Sequence, residues 1–183
     1  SERNLVANTS YGEPADILAD GNFEIVGNNL SDAAYRCRGQ AMFSDLEFTR
    51  EGLIVIGLMD RTGHQLGYRQ LRLGASQFEL VSAAAAGDLL VAYNHNGIWA
   101  LEQNGVIPGL GRISQFGAGN NEGPGGGEFF YGNARNLHQD AEAGGLIYLP
   151  GTQEIGSVTV SPTTAEYTNG GGVTFHNLLD GGN

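Results

Sequence analysis

Lysine is absent from this 183-residue sequence, and its nine basic residues are all arginine: Arg3, Arg36, Arg38, Arg50, Arg61, Arg69, Arg72, Arg112 and Arg135. Against 20 acidic residues they leave a formal net charge of −11. No cluster of them builds the cationic surface that a phosphate backbone requires, so no nucleic-acid partner is expected. An acidic surface favours cations and basic partners instead. Cysteine occurs once, at Cys37, which excludes an internal disulfide. In its Tyr-Arg-Cys-Arg setting it reads as a small buried hydrophobe in a strand, although two flanking guanidiniums favour a thiolate. No apolar run nears the ~20 residues of a membrane-spanning helix, so no membrane insertion is expected. Without lysine there is no Ser-x-x-Lys and no P-loop, and Gly-x-Ser-x-Gly, Cys-x-x-Cys and His-x-x-x-His are missing too.

What remains is glycine and short apolar runs. The chain has 30 glycines and is 40% hydrophobic, enough for a core and too apolar for disorder. Short Val, Ile, Leu, Phe and Tyr runs between glycine turns predict an all-β fold, residues 1–183 forming a single β domain. A Gly-led apolar strand recurs at Gly52, Gly87, Gly145 and Gly172, spaced 35, 58 and 27 residues apart. After the first, a turn at Met59 to Gly63 leads into a predicted strand over 64–73, with Leu66, Tyr68 and Leu71 inward. After the second, Asn94-His95-Asn96-Gly97 predicts a type I′ hairpin into Ile98-Trp99-Ala100-Leu101. A weaker copy runs from Ile17 to Val26 around an Asp20-Gly21-Asn22 turn. Trp99 reads as a core residue, and Asp45 with Glu47 reads as the solvated side of a strand whose Leu46 and Phe48 face inward.

The segment Arg112 to Val160 carries the most specific pattern. Phe116-Gly117 opens a glycine-rich loop over 117–127, Gly127-Glu-Phe129 closes it, and Gly145-Leu-Ile-Tyr-Leu149 supplies the next strand. This order resembles one repeat of an NHL-type β-propeller. The resemblance implies a β-propeller-like array of short antiparallel blades, as part of a longer propeller if blades beyond this chain complete it. Tyr131-Gly132-Asn133 stands where the family usually has a proline, and Pro150-Gly151 where it often has an aspartate. A β-sandwich or jelly roll is the alternative that the same strands could build. The glycine-rich loop itself is expected to be exposed and mobile unless a neighbour orders it.

The four histidines, His64, His95, His138 and His176, show no zinc spacing and are expected in exposed or hydrogen-bonded roles. A low-grade calcium site is the metal expectation: Asp16, Asp20 and Asn22 offer hard oxygen ligands in one loop, although Asp-Gly-Asn is equally a plain hairpin turn. Repeats whose last strand lacks partners imply an open edge, completed by further chain or by another molecule. The function expected is therefore non-enzymatic: an extracytoplasmic interaction or structural module (secreted, cell-surface or periplasmic), an accessory subunit with a protein partner or homo-oligomer. The alternative is a calcium-dependent propeller hydrolase or lyase acting on a small substrate, with several of Asp16, Asp20, Asn22, Asp60, Asn94 and His95 converging at one channel mouth. A lectin-like carbohydrate binder is a third expectation.

Overall fold

The computed structural model describes residues 24–26, 34–36, 41–61, 64, 70–71, 80–81, 87–115, 117–119, 123–133, 142–160 and 171–183. The fold is all-β. Its main sheet has four strands in the order β3 (Ala41–Phe48), β4 (Leu53–Asp60), β7 (Gly87–His95) and β8 (Ile98–Leu101). A second sheet orders β11 (Glu142–Tyr148), β12 (Glu154–Val160) and β13 (Gly171–Asn177). Three two-stranded ribbons complete the description. They are β1 (Glu24–Val26) with β2 (Ala34–Arg36), β5 (Gln70–Leu71) with β6 (Leu80–Val81), and β9 (Val106–Ile107) with β10 (Arg112–Ile113). All of these strand pairings are antiparallel. Among the described residues no sheet closes on itself.

Local chemistry explains the hairpins. Asn96 and Gly97 hold φ of 53° and 85°, and the Asn94 carboxamide oxygen accepts the Gly97 N–H at 2.8 Å. That is the type I′ turn expected from Asn-Gly, and it returns the chain from β7 to β8. The strand after Gly52 behaves differently from the expectation. β4 pairs with β7 through seven successive residue pairs, so its neighbour is not the 64–73 segment, of which Gln70–Leu71 pairs with β6. Nor does Gly145 lead its strand. β11 starts at Glu142 and breaks register between Glu142 and Leu146, where Gly144 takes a φ of 81°.

The second sheet packs on the main sheet chiefly through β11, which crosses β3, β4 and β7. Leu53 and Val55 of β4 and Leu89 and Val91 of β7 line the inner side of the first. Ile155 of β12 meets them from the second, Ile107 joins from β9, and Phe129, Phe130 and Leu178 fill in from loops. Each such side chain contributes about 1.5–3 kcal/mol on burial. Contact between the sheets is closest at glycine, where a β-carbon on Gly57 would lie 2.2 Å from the Gly144 carbonyl oxygen. Polar links pin the same place. Ser44 Oγ lies 2.7 Å from both the Gly57 and Gly144 carbonyl oxygens, and Asp45 Oδ2 accepts the Leu146 N–H at 2.9 Å.

The glycine-rich loop is ordered by its own chain. Gly117 O accepts the Glu128 N–H, Gly127 O accepts Gly105 N–H, and Pro124 O accepts Asn104 N–H. Gly117, Gly123 and Gly127 are buried. A β-carbon at Gly117 would fall 1.7 Å from the Glu128 carbonyl oxygen, so the fold admits only glycine there. Ala118, Gly119 and Gly125 are exposed, as expected of this loop, whereas tight backbone approach accounts for Gly117, Gly123 and Gly127.

Candidate functional site

Between the sheets lies a polar seam. Glu142 of β11 and His176 of β13 are both fully buried, with His176 Nε2 3.3 Å from Glu142 Oε1. Asn133 Nδ2 donates to Glu142 Oε2 at 2.8 Å. Ser157 and Thr159 are buried beside them on β12, and Thr159 shares a hydroxyl hydrogen bond of 2.9 Å with Thr174. The imidazole also meets Phe130 edge-on at 5.5 Å, and Phe130 meets Phe129 in the same way at 5.2 Å. A carboxylate and an imidazole at this distance have the groups for proton transfer. Sealed from solvent, they present no reacting surface and instead fasten β11 to β13.

Glu102 is a second buried acid. One carboxyl oxygen accepts the Val91 N–H at 3.0 Å and the other accepts the Phe129 N–H. Burial pushes its pKa up to about 8, against the opposing pull of those two backbone donors. Glu102 thus ties the main sheet to the loop that carries the aromatic core. At the surface, Arg112 donates to the Leu178 carbonyl at 2.9 Å and pairs with Glu51, which Gln153 also reaches at 3.0 Å. Those two hydrogen bonds hold the Glu51 carboxyl below its ordinary value.

The outer sheet faces are where the structure departs most from ordinary β architecture. Register places Leu46 and Phe48 of β3, Ile54 and Ile56 of β4, Leu90 of β7, and Trp99 and Leu101 of β8 on one side of the main sheet. Phe48 is 63% exposed and Trp99 46%. On the second sheet, Ile147, Val158, Val173 and Phe175 point outward around Gly156. Soluble proteins seldom leave contiguous apolar patches of this kind uncovered, and such patches mark interaction sites.

Several sequence expectations are corrected here. Trp99 is not core, because β8 turns it to the outer face. Asp45 and Glu47 are half-buried while Leu46 and Phe48 face out, the reverse of the expected alternation. The cause is the sheet-to-sheet link: Asp45 must point at Leu146 N–H, and the β3 register shift between Phe43 and Asp45 sets which side chains follow. His176, expected in an exposed or hydrogen-bonded role, is buried, and among the described residues neither ring nitrogen has a hydrogen bond. Asp60 ends β4 at the edge where Gly87 enters the sheet, whereas Asn94 and His95 lie at the opposite end, so these three do not converge. Asp16, Asp20 and Asn22 fall outside the described residues, as do Cys37 and His138. Among the described residues no group of three His, Cys, Asp or Glu could hold a metal ion. No described helix is long and apolar enough to cross a membrane. The seam around Glu142 and His176 had no sequence signal, since its members lie 34 residues apart (176 − 142) with no shared motif.

No family model matches the chain, and no solved structure matches it. It is similar to Colossin-B of Dictyostelium discoideum, at 30% identity over 132 residues. That match takes in 68% of this chain and 3% of the length of Colossin-B.

Proposed function

We propose that this chain is a non-enzymatic interaction or structural module, working as an accessory part of a larger extracytoplasmic assembly. One observation carries the reading: each main sheet buries one face and turns an apolar face outward. A sheet with two apolar faces belongs between two layers, as blades do in a propeller-like array or sheets in a stacked assembly. The chemistry agrees, because the acid and imidazole groups that approach one another are sealed from solvent and act as fasteners. Localisation outside the cytoplasm rests on composition alone, a lysine-free, glycine-rich and acidic β chain.

Sedimentation velocity on the purified chain, with an apolar dye as a second readout, tests this. The expected result is self-association or strong dye binding, both reduced in a Leu46→Glu, Trp99→Glu, Val158→Glu variant that keeps the parent circular dichroism. A monomer that binds no dye and is unchanged by those substitutions would overturn the proposal.

A further inference from the structure

The two edges of the second sheet are treated differently. At the β11 edge, the Leu146 N–H points away from β12 and is taken by the Asp45 carboxylate, while Ser44 covers the Gly144 carbonyl. Among the described residues, the β13 edge has no such cover. Seven successive pairs join β13 to β12 without a bulge, and β13 contains neither a charged residue nor proline. Those are the devices that normally protect an edge from pairing. The main sheet uses them: β3 carries a bulge and β8 is four residues long.

Hydrogen-bond parity shows which groups β13 offers. Asn177 directs both its backbone groups outward, its N–H to Gly182 O at 2.6 Å and its carbonyl to Gly181 N–H at 2.8 Å. Residues two and four positions earlier share its parity, so Phe175 and Val173 turn their N–H and C=O groups away from β12 as well. No partner meets them among the described residues. Their side chains, 44% and 48% exposed, stand on the outer face and close with Ile147 over the buried Gly156, forming a continuous apolar surface. At the Asn177 end of the same face stands the exposed Glu154.

Resting on the interaction-module reading, we infer that β13 accepts an extended segment of a partner protein as a fourth strand. β8 occupies the matching edge position of the main sheet. Main-chain bonds to Val173 and Phe175 supply affinity, and alternate apolar side chains of the guest pack beside the exposed Val173 and Phe175 side chains. Glu154 and the net charge of −11 select a guest with arginine or lysine at the end beside Glu154, residues that a second β13 does not contain.

The test uses fluorescence anisotropy with a labelled peptide, Arg-Val-Thr-Val-Thr-Val-Arg, and the same peptide ended by glutamate. Val173→Pro removes one outward N–H while leaving the β12 ladder whole, because proline is tolerated where the N–H faces solvent. Saturable binding of the arginine-ended peptide is expected, with the glutamate-ended peptide weaker. Val173→Pro should bind about tenfold less tightly or worse, the loss of roughly one good hydrogen bond, at an unchanged melting temperature. Should Val173→Pro fail to fold, Phe175→Glu replaces it, placing a charge at an exposed site without touching the backbone. Equal binding by wild type and either folded variant, or no saturable binding by wild type, overturns the proposal. A wild-type dimer abolished by Val173→Pro also overturns it, by assigning the edge to a second copy. A Leu46→Glu, Trp99→Glu variant without Val158→Glu alters only the other sheet, so unchanged association and dye binding in that variant sinks the module reading separately.

Discussion

The backbones of Gly57 and Gly144 touch across the two main sheets with no side chain between them. A β-carbon at Gly57 would lie 2.2 Å from the Gly144 carbonyl oxygen and 3.2 Å from Leu146 Cγ. The nearer obstacle is backbone, which cannot rotate away. Gly57→Ala should therefore cost about 1–3 kcal/mol or more, the range of overpacked cores. Urea denaturation read by circular dichroism would measure it, and a cost near zero would show that the sheets can separate freely at this point.

Glu102 should make stability depend on pH. Its folded pKa is about 8, above the value in the unfolded chain, so the folded state holds a proton that the unfolded state has lost. Stability is then fully present below the unfolded value and falls as pH rises towards 8, by on the order of 1 kcal/mol per pH unit. Glu102→Gln should flatten that slope. At pH 5 the variant should also be about 1–3 kcal/mol less stable, because an amide NH2 faces one of the two backbone donors. Melting temperatures of both proteins from pH 4.5 to 8.5 decide it.

The seam between Glu142 and His176 is predicted to be structural. Glu142→Ala removes the buried carboxylate that accepts from the Asn133 amide and should destabilise by about 1–3 kcal/mol. His176→Ala removes the edge contact with Phe130 as well and opens a cavity, at about 2–5 kcal/mol by analogy with large-to-small core changes. Thermal unfolding of both variants is the measurement, and a folded, equally stable His176→Ala protein would count against a fastening role.

Trp99 offers a direct optical check of the outer face. It is the sole tryptophan and 46% exposed, so its emission should lie towards that of solvated indole and be quenched by iodide or acrylamide. Trp99→Ser should change stability by no more than about 0.5 kcal/mol, as surface substitutions do. Emission typical of a buried indole in a verified monomer would contradict the exposed position.

Much of the local structure was legible in the chain. Asn96-Gly97 announced its hairpin because few residues other than glycine and asparagine adopt positive φ readily. The all-β character followed from short β-branched and aromatic runs between glycines. The glycine-rich loop was visible as a segment, but its glycines looked like flexibility. Several of them mark places where carbonyls of Glu128 and Gly127 come too close for any side chain.

Sequence by itself thus determined several strand segments, the tight turn, and the exclusion of lysine and disulfide chemistry, because each depends on the residue and its near neighbours. Only tertiary structure decided which strand followed β4 in the sheet, which side of β3 faced out, and that Glu142 meets His176. Those outcomes hinge on contacts such as Asp45 with Leu146, 101 residues apart, and on a bulge that shifts the register of β3. A period-two pattern fixes that side chains alternate, but when both faces are apolar it cannot fix which face is inside.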